Sequence, residues 1–148
     1  MAPDDILSYC LSHLQETVLI ESWGERGVFY NPGHRFKRGI YVLTIKEKDG
    51  PNDRASRLDR PGVFRVNLGV GKDTFRRLFG LQPARPPRGG VIGMDVDFSA
   101  QDVLLPHPVY GWMSWLCVLN PSPDTFETLK PLIEEAYRLA REKSGRRR

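Results

Sequence analysis

The chain has 148 residues, of which 40% are hydrophobic and 27% charged, proportions of a single globular domain with its own core and not of a disordered or low-complexity segment. Its formal net charge is +4, but Arg146, Arg147 and Arg148 at the end supply most of it, so overall charge gives little reason to expect nucleic-acid binding. There is no apolar run of about 18 residues to span a membrane, and the acidic start MAPDDILSYC lacks the basic region of a signal peptide, so a cytoplasmic protein without a membrane partner is expected.

Asp4 and Asp5 follow Pro3 where a helix start favours negative charge, and Ile6, Leu7, Cys10, Leu11 and Leu14 form an apolar stripe, which predicts a first helix. Val18 to Trp23 reads as a strand, Gly24 to Gly27 as a four-residue turn, and Val28 to Tyr30 as the returning strand. Ile40 to Lys46 is a third strand, apolar on both parities up to Ile45, as in a central strand covered on both faces. Residues 47 to 59 are a polar loop around Gly50-Pro51-Asn52-Asp53, ending in a helical turn near 55 to 58.

Leu58 to Gly80 is the most informative stretch. Phe64, Val66 and Leu68 alternate with Arg65, Asn67 and Gly69, the period of a strand with one apolar and one polar face. Gly69 and Gly71 then punctuate the chain, and Phe75, Leu78 and Phe79 recur at helical spacing opposite Lys72, Arg76 and Arg77. Gly71-Lys72 after a strand invites comparison with a phosphate-binding loop. However, Val66 stands where the first glycine belongs and Asp73 where a hydroxyl would hold magnesium, which argues against nucleotide hydrolysis; a tight turn with a solvated basic helix face is expected, with a generic anion site at the helix start as the alternative.

Residues 82 to 93 hold three prolines and three glycines with Gly93 counted, a density that no regular element survives. Met94 to Phe98 reads as extended, Ser99 as the cap of a short helix over 100 to 105, and Pro106 and Pro108 hold His107 in an extended segment. Tyr110 to Leu119 is apolar on both faces and predicts a buried strand. Ser122-Pro123 opens a last helix along Phe126, Leu129, Ile133, Ala136, Tyr137 and Ala140, with Pro131 marking a kink or a late regular start. Cys10 and Cys117 lie far apart without metal-ligand spacing and read as small core residues.

These elements predict an α+β single domain over 1–142, with a mainly antiparallel sheet of about five strands and N-terminal, middle and C-terminal helices packed on it, followed by a basic disordered tail over 143–148. The order of elements, with Tyr9-Cys10, Trp23-Gly24 and Glu134-Glu135-Ala136-Tyr137, resembles the MmcQ/YjbR-like family of small bacterial α/β proteins. More closely, LDRPGVFRVNLGVGKDTFRRLFG and LLPHPVYGWMSWLCVLNP resemble the hallmarks of an uncharacterised bacterial family (domain of unknown function 6194), and this resemblance covers nearly the whole chain. The first resemblance implies an antiparallel sheet with packed helices and a proposed role in DNA binding; the second implies no activity, cofactor or catalytic residue.

Three residue groups are candidates for function. Arg60, Arg65, Lys72 and Arg76, with Arg77, form a basic face if the strand and the helix after it share a groove, suited to a phosphate backbone or an acidic partner. His107, Tyr110 and Trp112, with Trp115, are able to line a small-molecule pocket. Asp95, Asp97, Asp102 and His107 match no metal-loop spacing and read better as helix-start residues, so no metal and no cofactor are expected. The first expectation is a non-enzymatic binding module for nucleic acid or an acidic partner; the second is a small-molecule-binding protein or enzyme using His107.

Overall fold

The computed structural model describes residues 1–22 and 24–146. The first helix, α1 (Pro3–His13), turns Ile6, Leu7 and Cys10 inward, and the Asp5 carboxylate accepts the Ala2 N–H at its start. Strands β1 (Thr17–Ser22) and β2 (Glu25–Tyr30) pair antiparallel up to Ser22 and Glu25. Glu25, Arg26 and Gly27, read from the sequence as turn, are therefore part of the strand; Trp23 lies outside the described residues. β3 (Ile40–Lys46) has the predicted limits.

β4 (Arg65–Gly69), α2 (Lys72–Phe79), β5 (Leu105–Pro106), β6 (Trp115–Leu119) and α3 (Pro123–Arg146) complete the chain. The six strands form one antiparallel sheet in the order β1-β2-β3-β4-β6-β5. The fold is α+β, with six strands and not five, because β5 replaces the short helix expected over 100–105. There the Asp102 backbone, at φ 59°, donates its N–H to the Leu119 carbonyl and its carboxylate accepts the Ser122 N–H, so sheet pairing wins over local capping. Met94 to Phe98 forms no strand, and residues 51 to 62 form turns without a helical one.

α3 starts as predicted, with Ser122 Oγ accepting the Thr125 N–H, and continues as one helix through Pro131. It extends to Arg146, so residues 143–146 of the expected tail are helical, while Arg147 and Arg148 lie outside the described residues. Among the described residues no helix is long and apolar enough to cross a membrane.

α1 and α3 pack on the strands through one face of the sheet, where Val28, Leu43, Val66, Leu68, Leu116 and Val118 meet Leu129, Ile133 and Ala136, and Phe75 of α2 joins the same core. The opposite face is covered by irregular chain. There Leu58 and Val63 pack on Leu105, Cys117 and Leu119 as a smaller second core. One irregularity shapes the middle of the sheet. Val28 lies opposite Leu43 and Phe29 opposite Tyr41, so Val42 is an extra residue in β3, and Val42 and Leu43 both turn into the helix-side core. Pairing between β3 and β4 ends at Leu43 and Leu68, and beyond it the two strands part.

Candidate functional site

On the loop-covered face, strand parity places Arg65, Asn67 and Gly69 of β4 beside Thr44 and Lys46 of β3 and Trp115 of β6. The sequence pattern expects this parity to be solvated, yet Arg65 and Asn67 are each 1% exposed. Arg65 is sealed by Asp53 from the loop after β3: Nη1 donates to Asp53 Oδ1 at 2.9 Å and to Ser56 Oγ at 2.8 Å, Nη2 donates to Asp53 Oδ2, and Nε donates to Asn67 Oδ1 at 2.6 Å. Asn67 in turn donates to Thr44 Oγ1. Burial by itself would raise the Asp53 carboxyl, but the hydrogen bonds and charge of Arg65 outweigh it and hold the carboxyl below the usual carboxylate range. Lys46 and Glu25 make a second, looser pair at 3.6 Å on the same face.

His107 follows β5 on this face and is 2% exposed. Its N–H donates to the Trp115 carbonyl, which extends the β5–β6 pairing. The imidazole Nδ1 accepts two backbone N–H groups, those of Val109 and Tyr110, each at 3.1 Å. Burial first, then the positive charge of Arg65, drives its pKa well below the ordinary histidine value, so the ring is neutral. A neutral ring with Nδ1 accepting carries its proton on Nε2. That Nε2–H has no protein acceptor among the described residues. No fully buried side-chain nitrogen or oxygen lacks a partner among them either, so Nε2 is reached from the space beside the ring.

That space is a cavity of about 450 Å³. Asp53, Arg65, Thr44 and Glu25 line its polar end, and His107, Trp115 and Gly69 its middle. The Trp115 indole lies against Gly69, where a Cβ would come within 2.9 Å of Nε1, so only glycine gives this ring its place. Tyr41, Tyr110 and Met113 form the mouth, at 51%, 46% and 50% exposure, a density of open apolar side chains that suits contact with a ligand body. The Tyr41 and Tyr110 rings stand 6.3 and 6.0 Å from the Trp115 ring. Where β3 and β4 part, the cavity continues through the sheet to Ile40, Val70, Ala136, Leu139 and Ala140, with exposed Lys143 at its rim.

The structure brings Arg65, His107 and Tyr110 to this cavity and leaves Arg60, Lys72, Arg76 and Trp112 outside its lining. Arg60 ties loops together by donating to the carbonyls of Ser56, Arg57 and Ser99. Arg76 bonds Gln82, and Lys72 and Arg76 are exposed on α2. Trp112 stacks under the Arg85 guanidinium at 4.9 Å. Arg65 is turned inward to Asp53 and so does not join Lys72 and Arg76 on one solvated basic face.

The start of α2 holds an anion of the chain's own. Glu135 of α3 accepts the Gly71 N–H at 2.7 Å and the Thr74 hydroxyl at 2.7 Å, and so takes the place of an external anion at this helix start. Among the described residues no group of histidine, cysteine, aspartate or glutamate is arranged to hold a metal; Asp97 closes a local turn on Ser99 and Asp102 anchors Ser122. Thr44, Glu25, Tyr41 and Met113 of the lining are absent from the candidate groups read from the sequence, and so is Asp53, the partner of Arg65. The signal for Asp53 is its turn position after Gly50-Pro51-Asn52, a place from which a carboxylate is able to swing back over the neighbouring strand.

The whole chain, residues 1–148, matches the model of the Family of unknown function (DUF6194), and the chain belongs to that family. No curated protein and no solved structure matches it, so the looser likeness to the MmcQ/YjbR-like fold has no solved structure behind it.

Proposed function

We propose that this member of a family without an assigned activity is a small-molecule-binding protein whose site is the cavity between the sheet and its loop cover. The observation that supports this most is His107. A buried, neutral imidazole has its proton fixed on Nε2 by two backbone N–H groups, and that proton has no acceptor in the protein. Because Nε2 opens on the cavity, a ligand acceptor there is able to take its proton in a hydrogen bond, a net gain of about 0.5–1.5 kcal/mol. The same arrangement favours binding over proton transfer. A general base needs a free lone pair, and the one on Nδ1 is already shared between Val109 and Tyr110. Cavity size and the mix of aromatic walls with a few convergent polar groups fit ordinary ligand sites. The free, buried Cys10 and Cys117 suit the reducing bacterial cytoplasm expected from the sequence.

The nucleic-acid reading draws less support, because Arg65 is engaged by Asp53 and the start of α2 by Glu135. A thermal-shift screen across metabolite classes tests the proposal. At a concentration of about 100 Kd a ligand adds about 2.7 kcal/mol, a rise of several degrees in Tm. That rise should vanish in His107→Ala. A rise of equal size in the variant moves the site away from this cavity.

A further inference from the structure

The cavity presents two ring N–H donors without acceptors, and its one loosely paired acceptor group is the Glu25 carboxylate at the polar end. The Trp115 Nε1–H, like the His107 Nε2–H, has no acceptor among the described residues. Because Trp115 is only partly exposed and no fully buried side-chain nitrogen there lacks a partner, its N–H also opens to the cavity or its mouth. Four of the five guanidinium N–H groups of Arg65 are accounted for, two on Asp53, one on Ser56 and one on Asn67. On the other side of the balance, the Asp53 oxygens face Arg65, the Asn67 oxygen takes the Arg65 Nε–H, and Thr44 Oγ1 accepts from Asn67.

Charge narrows the class further. Within the lining and its immediate pairs, Asp53 balances Arg65 and Glu25 balances Lys46. Lys143 at the rim has no ion-pair partner among the described residues. The one positive charge left over lies at the rim of the apolar arm and not beside His107; at the polar end the charges balance, and the Glu25 and Asp53 carboxylates there disfavour a dianion such as a phosphate monoester. Beyond the donors, the wall turns apolar along Ile40, Val70, Leu139 and Ala140.

We infer that the cavity takes a monocarboxylic acid with an apolar body, its carboxylate accepting from His107 Nε2–H and Trp115 Nε1–H and its body lying in the arm that passes through the sheet. The inference rests on the small-molecule reading above and names its ligand class. The two rings stand edge to face with centroids 6.2 Å apart and line the same cavity, and a carboxylate has two oxygens with which to accept from two donors. The gap between β3 and β4 admits the body because no strand pairing crosses it beyond Leu43 and Leu68.

Isothermal titration of the full chain with phenylacetate, indole-3-acetate and octanoate tests this, each acid beside its amide, with phenethylamine and phenyl phosphate as the cation and the dianion. At least one acid should saturate, with its amide on the order of tenfold weaker and the phosphate weaker again. Trp115→Phe keeps the ring wall and removes the N–H; it should weaken the acid about tenfold while the protein still melts cooperatively. Equal or tighter binding by the amides or the amine, still dependent on Trp115 or His107, would overturn the carboxylate and leave the small-molecule site standing. Saturation by no compound of any class at millimolar concentration would overturn both.

Discussion

On one face of the sheet Val66, Leu68, Leu116 and Val118 are fully buried by helices through apolar contact alone; on the other, Arg65, Asn67 and Thr44 are buried to nearly the same degree by loops. The first face is held by non-directional transfer of apolar area out of water, which tolerates exchange of similar shapes. The second is held by directed bonds, each of which needs its partner. The same sheet thus carries a forgiving face and an exacting one. The cavity lies at the exacting one, where the His107 and Trp115 ring N–H groups stand without acceptors among the described residues. What this teaches is that burial alone does not mark a core: the chemistry of what is buried separates a scaffold surface from a site.

Breaking the ion pair should have the largest effect. Asp53→Ala leaves the Arg65 guanidinium buried without its counter-charge and is expected to cost about 3–5 kcal/mol in chemical denaturation. That matches or exceeds Leu68→Ala on the helix face, about 2–5 kcal/mol. A loss under about 1 kcal/mol for Asp53→Ala would make the pair a solvated one and dissolve the contrast between the faces. The double change Asp53→Leu with Arg65→Met should recover much of the loss, since it removes both charges together.

Acid should act next, and through the loop face. His107 is neutral in the fold with its pKa depressed, so the unfolded chain takes up a proton that the folded one does not. Its stabilising contribution is therefore complete above the unfolded value of about 6.5 and is lost as pH falls toward the folded value, at about 1.4 kcal/mol per pH unit. Asp53, also depressed, adds a loss of the same sign that begins only below the unfolded carboxyl value of about 3.9. Denaturation midpoints between pH 7 and 5 should fall in the native chain and stay level in His107→Gln. Parallel curves for the two would mean that the imidazole is not held neutral.

The smallest effect sharpens the comparison by being the same on both faces. Cys10 lies in the helix-side core and Cys117 under the loops, and burial pushes both thiols up to about 12. Neither should react with a thiol reagent at pH 8 faster than the whole chain unfolds. Faster modification of Cys117 alone would show that the loop cover opens by itself.

Much of the helix-side face is legible in the sequence, because period two over Phe64, Val66 and Leu68 and helical spacing along α3 are local signals that agree with the packing. The pair that defines the other face is not. Asp53 and Arg65 meet across a loop whose path no local pattern encodes, so Arg65 reads as solvated until its partner is seen. β5 is hidden for a related reason: Asp97 and Ser99 look like a helix start and in the structure only close a turn on each other, while the two residues that pair include a proline. The aromatic company of His107 is legible in the sequence. Its tautomer is not, since it depends on the backbone turn after Pro108 that aims two N–H groups at one nitrogen.

The extra residue in β3 has a consequence for how this scaffold diversifies. By parting β3 from β4 it lets the cavity end on Ala136 and Ala140 of α3, two small side chains on an element whose polar contribution to the lining is Lys143 at the rim. Head-group chemistry and chamber length are therefore written at separate positions, one set on the sheet and one on the helix. Exchanging Ala140 for valine or leucine shortens the chamber and leaves His107, Trp115 and the Arg65–Asp53 pair in place. On the proposed reading, substitution on the helix alone would change the length of ligand admitted and leave the polar contacts as they are.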